Sequence, residues 1–125
     1  MLKINIKKDY IPIPFINEKG EEEFELRFYK TDENIQRLMD YNDELDEIKK
    51  AEDGEEEEAT SLAEQKERDQ KTIDATLGEG SFEKMYSLSE SLMNVRAYYM
   101  EICIGLLNEL GYEEAGKTLE KYRRG

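Results

Sequence analysis

Ile73-Asp74-Ala75-Thr76-Leu77-Gly78-Glu79-Gly80-Ser81-Phe82-Glu83-Lys84-Met85-Tyr86 places two glycines, one residue apart, between two apolar patterns. Leu77 closes the first pattern, and a glycine after it can enter the left-handed region that ends helices without a Cβ clash. Ser81 is then expected to cap the next helix by accepting a hydrogen bond from a free backbone N–H. Phe82, Met85 and Tyr86 make a short apolar turn beyond it. The stretch reads as a helix end, a corner at Gly78, Gly80 and Ser81, and a new helix start.

Working outward, Ser87-Leu88-Ser89-Glu90 fits a capping box and predicts a further helix start there. Leu88, Leu92, Val95, Tyr99, Ile102, Leu106 and Leu110 run down one face, widened by Met93, Met100, Cys103 and Leu107. A stripe this wide predicts a central helix buried on two sides. Residues 88–110 would extend about 35 Å at ~1.5 Å per residue. Gly111 ends it. Ala115, Leu119 and Tyr122 predict a last amphipathic helix.

Upstream, Thr31-Asp32-Glu33 predicts a helix start: a capping hydroxyl, then two carboxylates at the positive end of the dipole. Leu38, Tyr41, Leu45 and Ile48 give that helix one narrow apolar stripe. Between Asp40 and Glu58 eleven acids stand against two lysines, and like-charge repulsion predicts a fray or flexible acidic segment near 50–58, around Gly54. A third helix is expected from about Ala59, with Leu62, Ala63, Ile73 and Leu77 inward.

The first thirty residues have period two. Leu2, Ile4 and Ile6 alternate with Lys3, Asn5 and Lys7, Ile11, Ile13 and Phe15 with Pro12 and Pro14, and Phe24, Leu26 and Phe28 with Glu23, Glu25 and Arg27. That pattern predicts strands, the proline-bearing one at an edge, and a turn at Asn17-Glu18-Lys19-Gly20. Pairing of these strands within one chain and pairing across a subunit boundary both fit. The expected fold is therefore α+β and mainly α: a single domain over 1–125, with a β-hairpin or meander in 1–30 packed on a bundle of about four to five helices in 31–125.

Composition narrows function by exclusion. The 125 residues carry a formal net charge of −13, which opposes binding to nucleic-acid phosphates and to anionic membranes. The single cysteine forms no intramolecular disulfide and reads as a core residue in a reducing cytoplasm. No apolar run reaches the ~20 residues of a membrane span. The chain has no histidine, and so lacks the commonest general base and metal ligand. Cys103 has no histidine to activate it, Gly78-Glu79-Gly80 lacks the third glycine of a dinucleotide loop, and Asp40-x-Asn42-Asp43-Glu44 lacks the glycine of a calcium loop. No enzyme activity, catalytic residue, metal or cofactor is expected. Tyrosines and methionines suit an adaptable protein interface, and the candidate partner-binding surface is Tyr86, Met93, Tyr98, Tyr99 and Met100.

The stretch Ile73–Tyr86 resembles the Asp-Ala-Leu-Leu-Gly-Glu-Gly-x-x-Glu-Lys-Ile signature of small tail assembly chaperones from long-tailed phages of Gram-positive bacteria. Thr76 stands where the signature has an aliphatic residue. The resemblance implies a non-catalytic protein of the host cytoplasm, absent from the mature virion. It would bind the tape-measure protein and help recruit tail-tube subunits; a homo-oligomer is a separate expectation, open with the pairing of the amino-terminal strands. It also implies structural roles for the motif: Leu77, Phe82 and Met85 in the core, Gly78 and Gly80 at the corner. Two alternatives follow from charge and size, an acidic DNA mimic that occupies a basic groove and a structural virion component.

Overall fold

In the computed structural model, which describes residues 1–54 and 61–111 (backbone only for 45–54), a two-stranded hairpin leads into four helices. Strand β1 (Tyr10–Ile16) pairs antiparallel with β2 (Glu22–Tyr29), setting Ile11 opposite Phe28, Ile13 opposite Leu26 and Phe15 opposite Phe24. The turn closes as expected. Asn17 Oδ1 accepts from the N–H groups of Lys19 and Glu21 at 2.9 and 3.0 Å, and Gly20 takes φ 81°. Lys30 N–H donates to the Asp9 carbonyl at 2.7 Å. The alternation of an antiparallel ladder then turns Ile11, Ile13 and Phe15 N–H toward β2, and leaves Pro12 and Pro14, which have none, on the outer edge.

The expected strand at Leu2, Ile4 and Ile6 does not form. Residues 1–9 have no regular structure, and Leu2, Ile4 and Ile6 are 87%, 78% and 98% exposed. The reason is phase. In β1 the odd-numbered residues face the core, whereas in this arm the apolar residues are even-numbered, so a straight continuation would turn Lys3 and Lys7 inward. β2 also ends at Tyr29, where the chain turns into a helix and offers no further partner.

Helix α1 (Asp32–Gly54) starts where Thr31 Oγ1 accepts from Asn34 N–H at 3.2 Å. Leu38 is its fully buried anchor, with Ile35, Met39 and Tyr41 half-buried beside it. It stays helical through Gly54, where a fray was expected; residues 55–60 of the acidic segment lie outside the described residues. Helix α2 (Leu62–Leu77) is capped by Ser61 Oγ, which accepts from Glu64 N–H at 3.2 Å. Ile73 and Leu77 are buried as expected, but Leu62 and Ala63 are exposed, because the first turn of α2 overhangs the core.

Helix α3 (Ser81–Tyr86) follows the corner, and α4 (Leu92–Glu109) crosses the centre. The expected helix start at Ser87–Glu90 is instead the exit turn of α3. Ser87 and Glu90 N–H donate back to the Glu83 and Tyr86 carbonyls, at 2.9 and 2.7 Å, and Glu90 takes φ 50°. The cap of α4 is Ser91, whose Oγ accepts from Asn94 N–H at 3.2 Å. A helix running straight on from α3 would not swing Leu92 and Val95 into the core, and Leu88 is left 41% exposed. Gly111 at φ 91° closes α4, its N–H donating to the Asn108 carbonyl. The expected last helix around Ala115, Leu119 and Tyr122 lies outside the described residues.

One hydrophobic cluster joins all six elements. Ile11, Leu26 and Phe28 come from the hairpin, Leu38 from α1, Ile73 and Leu77 from α2, and Phe82 and Met85 from α3. α4 supplies Leu92, Val95, Tyr99, Cys103, Ile104, Leu106 and Leu107, which makes it the central helix. The fold is α+β and mainly α.

Candidate functional site

The corner is built from φ angles rather than from tight space. Gly78 ends α2 at φ 105° and Gly80 opens α3 in the left-handed region at φ 89°, yet a Cβ at either would meet nothing within 4 Å. Ser81 does not cap α3. It is the first residue of that helix, buried, and its Oγ donates back to the Leu77 carbonyl at 3.1 Å. The cap comes from Asp74, one turn before the end of α2, whose Oδ1 accepts from Phe82 N–H at 2.9 Å. The corner therefore folds back on itself: Ser81 satisfies the end of α2, and Asp74 satisfies the start of α3. Leu77, Phe82 and Met85 all lie in the core.

The five residues expected to form one binding surface are not gathered together. Tyr99 is only 3% exposed and is a core residue. Its ring meets Tyr41 edge-on at 5.0 Å, and its hydroxyl is hydrogen-bonded to Thr76 Oγ1 at 3.1 Å. Thr76 Oγ1 in turn donates to the Thr72 carbonyl at 3.0 Å. Thr76 thus gives a buried phenol a partner that an aliphatic residue would deny it. Burial raises the phenol pKa of both Tyr99 and Tyr41 above the ordinary value, and pushes the Cys103 thiol up to about 12. A thiol so held is a packing group, not a nucleophile.

The remaining four divide. At ~100° per residue, Met93 and Met100 lie on one flank of α4 and Tyr98 on the opposite one, with Tyr99 between. Met93 is 80% exposed and Met100 half-buried. Tyr86 sits on α3, stacked on Phe82 at 5.7 Å, with Lys66 Nζ 3.9 Å from its ring centroid.

The Tyr98 flank is where a cleft opens. Ile13, Pro14, Phe15 and Ile16 of β1 face Tyr98, Glu101 and Ile102 of α4 across an open volume of about 420 Å³. Phe15 organises it, stacked on Phe24 at 4.7 Å and meeting the Tyr98 ring edge-on at 5.8 Å. Ile16, 56% exposed, forms its rim. The signal for this cleft was present in the chain: the alternation of β1 and the i, i+4 pair Tyr98/Ile102 each leave one apolar row at the margin of the core. Nothing local says that the two rows meet.

A second, polar cleft of about 290 Å³ lies between α1 and α2, lined by Arg37, Asp40, Tyr41, Glu44, Lys71 and Thr72 among others. Arg37 crosses it, donating to Asn34 Oδ1 at 2.6 Å, the Ala75 carbonyl at 3.1 Å and Glu33 at 2.8 Å. The bonds to Asn34 and Glu33 stay within α1, and the bond to the Ala75 carbonyl ties α1 to the end of α2. Among the described residues, no group of three or more His, Cys, Asp or Glu is placed to hold a metal ion, and no helix is long and apolar enough to cross a membrane. No protein-family model matches the chain, and no curated protein or solved structure matches it either.

Proposed function

We propose that this chain is a non-catalytic tail assembly chaperone of a long-tailed phage. In this reading it holds the tape-measure protein in the host cytoplasm, helps bring tail-tube subunits onto it, and stays out of the finished particle. The resemblance at Ile73–Tyr86 supports the choice of family. The observation that carries the mechanism is the apolar cleft between β1 and α4 on a chain of net charge −13. Such a cleft accepts the apolar face of an amphipathic helix, with Phe15, Tyr98 and Ile102 as floor and Ile16 as rim. The surrounding negative charge keeps the loaded complex dispersed.

Co-expression tests this. A tape-measure fragment that pellets alone is expected to become soluble with the wild-type chain and to pellet again with Ile16→Glu. That variant places a charge on an exposed rim position, so its melting temperature should match wild type. A fragment equally insoluble with the wild-type chain would defeat the reading.

One observation favours a second reading, an acidic DNA mimic. Asp40, Asp43 and Glu44 lie on α1, which continues as helix through Gly54 where a fray or loop is expected from sequence. Salt-sensitive displacement of DNA from a basic nuclease by the purified chain would support it.

A further inference from the structure

The geometry points to residues 1–8 as an exchange strand that adds to the outer edge of β2 in a second copy of this chain. The arm is patterned as a strand with one apolar row, Leu2, Ile4 and Ile6, and one polar row, Lys3, Asn5 and Lys7. Its apolar row is nonetheless exposed along its whole length. Because that row is out of phase with Ile11, Ile13 and Phe15, it cannot serve the arm's own core by extending β1. A strand-like pattern that its own sheet cannot use is suited to another sheet.

The edges on offer differ. The outer edge of β1 carries Pro12 and Pro14 and lacks their donors, so it accepts a strand poorly. The outer edge of β2 has no proline, and among the described residues no strand pairs with it. Where the register with β1 is regular, alternation leaves the N–H and C=O groups of Glu25 and Arg27 pointing outward, a template for strand addition.

The arm does not reach this edge in its own chain. Asp9 is fixed beside Lys30, and Lys8 Nζ lies 4.7 Å from the Tyr10 ring centroid, so the arm leaves the open end of the hairpin on the β1 side. Reaching its own β2 edge would mean crossing the connection from β2 into α1, which chains avoid.

Charge selects the partner. The arm carries Lys3, Lys7 and Lys8 in an otherwise acidic chain, and the β2 strand with its approach carries Glu21, Glu22, Glu23 and Glu25. Arm on β2 brings opposite charges together across strands, whereas arm on arm sets lysine against lysine. Each copy offers one arm and one edge, so reciprocal exchange closes as a two-fold dimer. This inference stands independently of the chaperone reading, since it concerns the purified chain alone.

Sedimentation velocity on the full chain provides the test. Wild type is expected to dimerise reversibly. Ile4→Asp combined with Ile6→Asp should weaken dimerisation about tenfold or more, with the far-UV spectrum and melting of the monomer unchanged. Lys3→Glu with Lys7→Glu should also weaken it, and adding Glu23→Lys with Glu25→Lys should restore it. A wild-type chain that stays monomeric at the highest soluble concentration overturns the proposal, and so does a dimer indifferent to the Ile4/Ile6 pair. Failure of the charge swap to rescue overturns the assignment of the β2 edge.

Discussion

Gly80 and Asp74 show how little of the corner is about space. A Cβ on Gly78 or Gly80 would clash with nothing, so the whole cost of replacing either falls on φ. Gly78→Val and Gly80→Val are each expected to lower stability by about 1–2 kcal/mol, read by thermal or urea unfolding. Asp74→Ala should cost about 1 kcal/mol, the usual worth of a helix cap. Unchanged melting in all three would mean that the corner does not hold α2 and α3 together. The buried ionisable groups make a second residue-scale prediction. The folded-state pKa values of Cys103, Tyr41 and Tyr99 lie above the ordinary values of 9.0, 10.0 and 10.0. The protonated forms are favoured in the fold, so their stabilising effect is fully present below about pH 9 and is lost as alkali ionises the unfolded chain first. Melting temperature should be insensitive to these groups near neutrality and fall beyond pH 9. In Tyr99→Phe, the part of that fall contributed by Tyr99 should disappear.

At the scale of elements, apolar anchors outweigh the polar ties. Among the described side chains of α1, Leu38 is the fully buried one, and Leu38→Ala is expected to cost about 2–5 kcal/mol. The ion pair between Arg96 of α4 and Asp69 of α2 is short, 2.6 Å, but its side chains are 49% and 23% exposed. Solvent screening limits it, and Arg96→Ala should cost no more than about 1 kcal/mol in chemical denaturation. If the order of these two losses were reversed, the helices would be held by charge rather than by packing. This scale is also where sequence reading succeeds and fails. The hairpin face, the central helix and the two-glycine corner were legible because each is a local periodicity or a local φ requirement. The capping residues were less so. Asp74 reaches a donor eight positions on only because the corner folds back, and Ser91 displaces the Ser87–Glu90 box only because Leu92 must turn inward. Tyr99 stands in the apolar stripe of α4 and was legible as core on that ground, whereas the meeting of Tyr98 with Phe15 of β1 was not legible. The alternation of Leu2, Ile4 and Ile6 reads as a strand, but none forms there, because the phase of that row against β1 is a relation between segments that local alternation does not show.

Over the whole molecule, charge and greasy surface act against one another. A net charge of −13 repels itself in the compact state, so raising salt from low to physiological ionic strength should increase the melting temperature. A melting temperature that falls with added salt would show that attractive pairs, such as Arg37 with Glu33 and Arg96 with Asp69, outweigh the net repulsion. The same charge keeps the exposed Met93, Ile16 and arm residues from driving indiscriminate association, while leaving them open to a matching surface.

The chain has no tryptophan, and two of its eight tyrosines, Tyr41 and Tyr99, meet edge-on at the seam between α1 and α4. Their near-ultraviolet dichroism, isolated from that of the Tyr10–Tyr29 pair by difference against Tyr41→Phe, is thus an optical gauge of that seam. Under the proposed function, a tape-measure fragment containing neither tyrosine nor tryptophan could be titrated in without a label, and any loosening of the seam would register as a loss of signal from this pair.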